Sequence, residues 1–359
     1  MRGLFVPPWC ALLLLLGTAD AWALETVQEE SRRVYPSAGL KAVSVDNPRG
    51  RIEFLPGAAD SVELVAIKTA RGETARDARE LAAQTSVEVD RTEGTLNVRV
   101  RYPQAMSSVR WFNFDHSGRH HRGPQVTIRM RIPARLSASG RTSSGTAVAS
   151  GVAGPLSLNS TSGDLRVEDA GGVVELRTTS GDITARSIGS GSSVVTVSGD
   201  VRVGNARGAI TVRSTSGDLR ITEVGGPLEV SSVSGEVMVR DAAAGLVCSV
   251  TSGDVVAHGV RKAARVTSSS GDLDVQVVGP VEGAELSTAS GDVVLRLSPE
   301  TRGELELRTG SGEIQVRTAL AVKTVSRHLV TGAVGGGGPP LRVRTSSGEV
   351  QVIREGEQP

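Results

Sequence analysis

Eight acidic side chains fall in one column of this sequence: Asp164, Asp182, Asp200, Asp218, Glu236, Asp254, Asp272 and Asp292. If the chain stacks them one strand spacing apart, about 5 Å, neighbouring carboxylates repel by roughly 1 kcal/mol per pair in water. Two kinds of chemistry relieve that repulsion. One is a cation ladder, since calcium takes clustered carboxylate oxygens. The other is bonding of each carboxylate to backbone N–H groups at its own corner. The second reading is the stronger. Arg166, Arg202 and Arg220 stand two positions on, on the same face, and the G-G-x-G-x-D spacing of calcium-binding nonapeptides is absent. Neither a metal nor a cofactor is expected.

A second concentration of chemistry lies in Trp111, Phe112, Phe114, His116, His120 and His121, beside Arg110, Arg119 and Arg122. Rings next to guanidiniums are common interface anchors, so a contact with a protein or glycan partner is one reading. A packed capping loop is another. A histidine metal site is the third, with no cysteine or second ligand cluster to support it. Ser160, Thr178, Thr196, Ser214, Ser232, Ser268, Thr288 and Thr309 form a further column. They continue an inward spacing, so corner hydrogen bonding is expected of them rather than the ordering of water at an ice surface. Cys248 is expected to be a small buried hydrophobe rather than a reactive thiol.

Enzyme signatures are missing: G-x-S-x-G, H-E-x-x-H and G-x-x-x-x-G-K-[ST] do not occur. A polysaccharide lyase or hydrolase would gather carboxylates and basic groups in one cleft, usually beside aromatic platforms. Here the charges are dispersed by repetition, and no aromatic residue follows Phe114. No catalytic residue is expected.

The elements that hold these columns are short and periodic. Ser-Gly-Asp or a close variant starts at Ser144, Ser162, Ser180, Ser198, Ser216, Ser234, Ser252 and Ser270, and recurs at Ser290, Ser311 and Ser347. Gly163, Gly181, Gly199, Gly217, Gly235, Gly253, Gly271 and Gly291 take the corner, because glycine tolerates positive φ at no steric cost. Three residues after each Ser come Leu165, Ile183, Val201, Leu219, Val237, Val255, Leu273 and Val293. Two further on come Val167, Ala185, Val203, Ile221, Val239, Ala257, Val275 and Leu295. A two-residue spacing is a strand period with the intervening side chain outward. A second alternating run precedes each Ser, and Gly-rich corners at Gly171-Gly172, Gly189, Gly208, Gly225-Gly226 and Gly245 divide the two.

One such unit cannot bury its inner face alone, whereas stacked units cover one another. The fold class read from this pattern is all-β: a single-stranded parallel β-solenoid of 18-residue coils. A right-handed coil is preferred because the hexapeptide anchors of left-handed helices are missing. Eleven rungs about 4.8 Å apart would make a rod roughly 50 Å long.

Composition fits a thin aliphatic core. Glycine is 43 of 359 residues and aromatics only 3%. A formal net charge of +1 argues against a general nucleic-acid binder. Residues 1–23 read as a secretory signal peptide: Arg2, an apolar run from Leu4 to Leu16, then Ala21-Trp22-Ala23. The apolar run is too short to span a membrane, and no second run follows. Residues 24–135 read as an N-terminal β-rich cap with one short helix near Glu73–Gln84 and the aromatic-histidine loop. Residues 136–317 are the regular solenoid, 318–340 an irregular Gly/Pro-rich loop, and 341–359 the final rung and tail.

An early N-x-x-G-x-I segment (Asn47 to Ile52), a strand ending in Ile132-Pro133, the serial S-G-D/E units and a closing S-S-G-E-V-Q-V (Ser346 to Val352) resemble the bacterial putative-adhesin family, a domain of unknown function. The resemblance implies an exported β-solenoid and brings no catalytic residues. The expectation is therefore a non-enzymatic binding, adhesion or structural scaffold at the bacterial cell envelope, periplasmic, surface-bound or secreted. A carbohydrate-active β-helix enzyme and an envelope-stress or assembly protein that binds another protein are the alternatives. The expected partner is an envelope protein or glycan.

Overall fold

The computed structural model describes residues 25–72, 74–103 and 123–356, together with the two-residue strand Leu13–Leu14. The chain is a parallel β-solenoid, with one helix among the described residues. It divides into two compact units, residues 1–171 and 172–359.

In the first unit, Ala42–Asp46 pairs in parallel with Thr95–Arg101 on one side and Ser137–Thr142 on the other. Gly50–Pro56 likewise pairs in parallel with Gln125–Ile132 and Thr146–Ser150. The rung built from residues 42–56 is therefore inserted between the rung of 95–132 and the rung of 137–150. The outermost rung is closed by antiparallel strands. Ser61–Gly72 pairs with Gln125–Ile132, Glu25–Pro36 with Ser61–Gly72, and Ser86–Thr92 with Thr95–Arg101. Antiparallel cover of this kind blunts an end that would otherwise expose a bare edge.

Helix α1, Ala75–Ala83, crosses this cover within the stretch expected to be helical. Thr74 caps it: its side-chain oxygen accepts from the Asp77 N–H at 3.2 Å, and Asp77 Oδ2 accepts from the Thr74 N–H at 3.2 Å. This reciprocal pair satisfies two free donors at the helix start.

In the second unit the coils repeat as the spacing predicts. Leu219 stands in register with Val201 and Val237, each 18 residues away. The two inward columns from Ile183 to Val293 and from Ala185 to Leu295 are at most 3% exposed. Cys248 is 1% exposed in the same core, and burial pushes its thiol up to about 12.

Two features were not legible from the spacing. A third corner places Ser187, Asn205, Glu223 and Asp241 in the left-handed region, with φ of 53°, 54°, 54° and 58°. The next residue in each coil, Ile188, Ala206, Val224 or Ala242, is buried. The inversion turns an apolar side chain into the core, although none of the four is glycine.

The other feature is the order of the last rungs. Pro340–Ser347 pairs in parallel with the end of Leu273–Ser290 and also with Gly303–Ser311. Val350–Arg354 pairs in parallel with both Val293–Leu297 and Ile314–Arg317. The C-terminal rung is thus inserted between two rungs that precede it in sequence. Residues 318–340 are not an irregular loop throughout. Ala321–Ser326 and Leu329–Val334 form an antiparallel hairpin, and Leu329–Val334 lies antiparallel to Gly303–Ser311. Val330 and Val334 are buried and extend the core, so only Gly335 to Gly338, all at positive φ, make the turn back.

Candidate functional site

The acidic column lies at the Ser-Gly-Asp corner, and its carboxylates bond to the main chain. Asp182 Oδ1 accepts from the Asp200 N–H at 3.0 Å, Asp200 Oδ1 from Asp218 at 3.1 Å, and Asp218 Oδ1 from Glu236 at 3.0 Å. The series resumes with Asp254 to Asp272 at 2.9 Å, Asp272 to Asp292 at 2.8 Å and Asp292 to Glu349 at 2.7 Å. Arg202 adds an ion pair to Asp200 at 3.1 Å and reaches Asp182 at 3.8 Å. Among the described residues, no group of three His, Cys, Asp or Glu is placed to hold a metal. Gly163 and Asp164 occupy the equivalent corner of the first unit, where the Asp164 carbonyl accepts from the Ala147 N–H at 3.0 Å.

The glycines of this corner are set by close approach as well as by φ. At Gly235, φ is 113° and an added Cβ would lie 2.3 Å from the Gly217 carbonyl oxygen. Gly199, Gly217, Gly253, Gly271 and Gly291 repeat both features, whereas Gly163 and Gly181 turn the corner without a positive φ. The Ser/Thr column is inward, and several of its hydroxyls donate to corner carbonyls, whereas the Ser160 hydroxyl is buried without a hydrogen-bond partner. Ser214 bonds to the Ser216 oxygen at 3.1 Å, Ser232 to Ser234 at 3.2 Å, and Ser268 to Ser270 at 3.1 Å.

Trp111, Phe112, Phe114, His116, His120 and His121 lie outside the described residues. The chain leading into that segment is anchored. The Tyr102 hydroxyl sits between the Arg49 carbonyl and Asn47 Oδ1, the latter at 2.8 Å, while Asn47 Nδ2 donates to the Val126 carbonyl at 2.7 Å. The Arg49 guanidinium lies 5.8 Å from the Tyr102 ring centroid. Asn47 is fully buried. The N-x-x-G-x-I segment is thereby explained as a clamp holding 49–51 against 126.

One cluster was not found from sequence. The inserted C-terminal rung brings Arg342 and Arg344 beside Glu306, at 3.3 and 3.6 Å, where Arg308 already pairs with that carboxylate at 2.8 Å. The only signal was alternating charge in each strand, and chain order alone does not say which strands become neighbours. A cleft of about 400 Å³ opens nearby, walled by Ala264, Gly283 and Ala284 with Arg265, Glu285 and Arg342 at its side.

Solved structures align with the chain over most of its length, at low identity and low TM-score. A putative cell adhesion protein from Clostridium sporogenes shares 7% identity over 91% of this chain and 100% of its own, with a TM-score of 0.23. A putative lipid binding protein from Parabacteroides distasonis shares 10% over 90% and 96%, with a TM-score of 0.31. A putative adhesin from Bacteroides fragilis shares 12% over 90% and 97%, with a TM-score of 0.25. No curated protein matches. The Toastrack DUF4097 family model matches residues 62–259 and 210–353, so the chain belongs to the Toastrack DUF4097 family.

Proposed function

We propose that this protein is an exported, non-enzymatic β-solenoid that serves as a binding or adhesion scaffold at the bacterial cell envelope. The observation that carries the reading is the commitment of the repeated polar groups to the frame. The carboxylates of Asp182, Asp200, Asp218, Asp254, Asp272 and Asp292 accept main-chain N–H groups of a neighbouring coil, and inward hydroxyls close the corners. Groups spent in this way build a stiff support rather than an acid–base pair. Recognition then falls to side chains outside this bonding pattern, with the Trp111 to His121 segment as a partner contact. No described helix is long and apolar enough to cross a membrane, which is compatible with the reading.

Fractionation of cells is the first test: the processed chain, beginning at Leu24, should be found outside the cytoplasm. Purified protein should release no reducing or unsaturated ends from acidic or neutral polysaccharides. Release that is lost on substitution of particular carboxylates would replace this reading with the enzymatic one.

A further inference from the structure

The outward face of Gly303–Ser311 and Pro340–Ser347 carries cations that are not matched one to one. Glu285 is taken by Arg265 at 3.2 Å and Glu304 by Lys323 at 2.6 Å. Glu306 is left facing three guanidiniums, those of Arg308, Arg342 and Arg344. Other carboxylates of this unit face fewer cations: Glu229 holds Arg213 at 2.9 Å, and Asp274 holds Arg296 at 2.7 Å with His258 at 3.5 Å. The three arginines are about half-exposed, whereas Glu306 is the more covered partner. One carboxylate cannot use the donors of three forked guanidiniums, so donors and positive charge remain directed to solvent.

We propose that this cluster is a binding site for an anionic polysaccharide, a sugar chain bearing carboxylate or sulfate groups. Arg308 and Arg344 stand in register on adjacent strands, about 4.8 Å apart along the stack. Their charges therefore run in the direction an extended polymer would follow. The next strand continues the row with Ser287, whose hydroxyl suits a sugar. Part of the cleft wall beside Arg342 is small, at Gly245, Ala264, Gly283 and Ala284, which lets a polymer backbone come close to the main chain there, while Glu282 and Glu285 on the same wall leave its acidic groups to the arginines.

A nucleic-acid single strand fits less well, because such strands are bound by stacking on aromatic rings and no aromatic residue follows Phe114. An anionic membrane fits less well too, since the outward neighbours Ser287 and Thr331 are short and polar and offer nothing to insert. The site uses none of the residues from Trp111 to His121, so its failure would leave the scaffold reading standing.

The test is binding of the full-length protein to immobilised polygalacturonate and heparin, with dextran as the neutral control and phosphatidylserine vesicles as the lipid arm. Both acidic polymers should be retained at low salt and released near 1 M salt, where the screening length is about 3 Å. The Arg308→Gln, Arg344→Gln double variant should bind at least about tenfold more weakly. Arg213→Gln, which breaks a single pair elsewhere, should bind as wild type does. Glu306→Gln should bind several-fold more tightly, because it removes the one competing anion, and it tests the site even if the double variant fails to fold. Unchanged binding by a folded double variant, weaker binding by Glu306→Gln, or preference for the vesicles would overturn the proposal.

Discussion

The main-chain N–H of Asp218 donates to Asp200 Oδ1 at 3.1 Å, one coil away, and that carboxylate also holds Arg202 at 3.1 Å. A side chain that looks like a repeating acid is in effect a splint between coils. Glutamate stands at position 236, and the series of aspartate acceptors resumes at Asp254.

Asp200→Ala should therefore cost about 1 kcal/mol, the usual net value of such a bond when water can partly replace it. Asp200→Asn keeps an acceptor oxygen and should cost less. Thermal melting distinguishes them. Equal losses would mean that charge, rather than the bond to Asp218, is what matters at this corner.

Glycine at the corner should prove irreplaceable for a reason that differs between positions. Gly235→Ala meets both a positive φ and a carbonyl oxygen 2.3 Å from the new Cβ. It should cost more than about 2 kcal/mol, since left-handed conformation alone costs roughly 1–2 for an L-residue. Gly279 has φ of 80° but nothing within 4 Å of an added Cβ, so Gly279→Ala should show only the conformational part. If the two variants melt alike, coil-to-coil approach is not what selects glycine.

Glu53 predicts an acid-dependent contribution in the first unit. Burial raises its pKa, but bonds from Arg129 at 2.7 Å and Arg51 at 2.5 Å outweigh burial and hold it below the ordinary 4.5. A carboxyl that is more acidic folded than unfolded contributes stability above its unfolded value and loses it as pH falls through the folded value. The melting difference between wild type and Glu53→Gln should thus be full at neutral pH and shrink below about pH 4.5. A gap independent of pH would assign the effect to packing.

The pairs that were legible in the sequence share one property: they repeat at a constant offset. Leu219 over Val237 and the Ser232 corner bond follow from an 18-residue shift, and the strand period fixes which side faces in. The left-handed column at Asn205 and Glu223 carries no such mark, because its residue types vary while its φ does not. The Arg344–Glu306 contact was hidden for another reason. It depends on a strand that returns to an earlier slot, and spacing along the chain is silent about order in space.

That return makes the sharpest prediction for the fold. Were the C-terminal rung simply the last in the stack, ending the chain after Val334 would shorten the solenoid by one coil and leave 303–334 folded. Insertion demands otherwise. Leu341, Val343, Val350 and Val352 are fully buried between rungs on both sides, and each such side chain contributes roughly 1.5–3 kcal/mol by burial. Without them Gly303–Ser311 keeps its antiparallel partner Leu329–Val334 but loses its parallel neighbour. Hydrogen exchange of the truncated chain should show the amides of 303–317 and 321–334 unprotected, while Ile183–Arg186 and Leu219–Val224, deeper in the repeat, stay protected. Removing only 357–359 should change neither. Retained protection across 303–311 in the truncated chain would show that this rung stands without the inserted strand, and would place the C-terminal rung at the end of the stack after all.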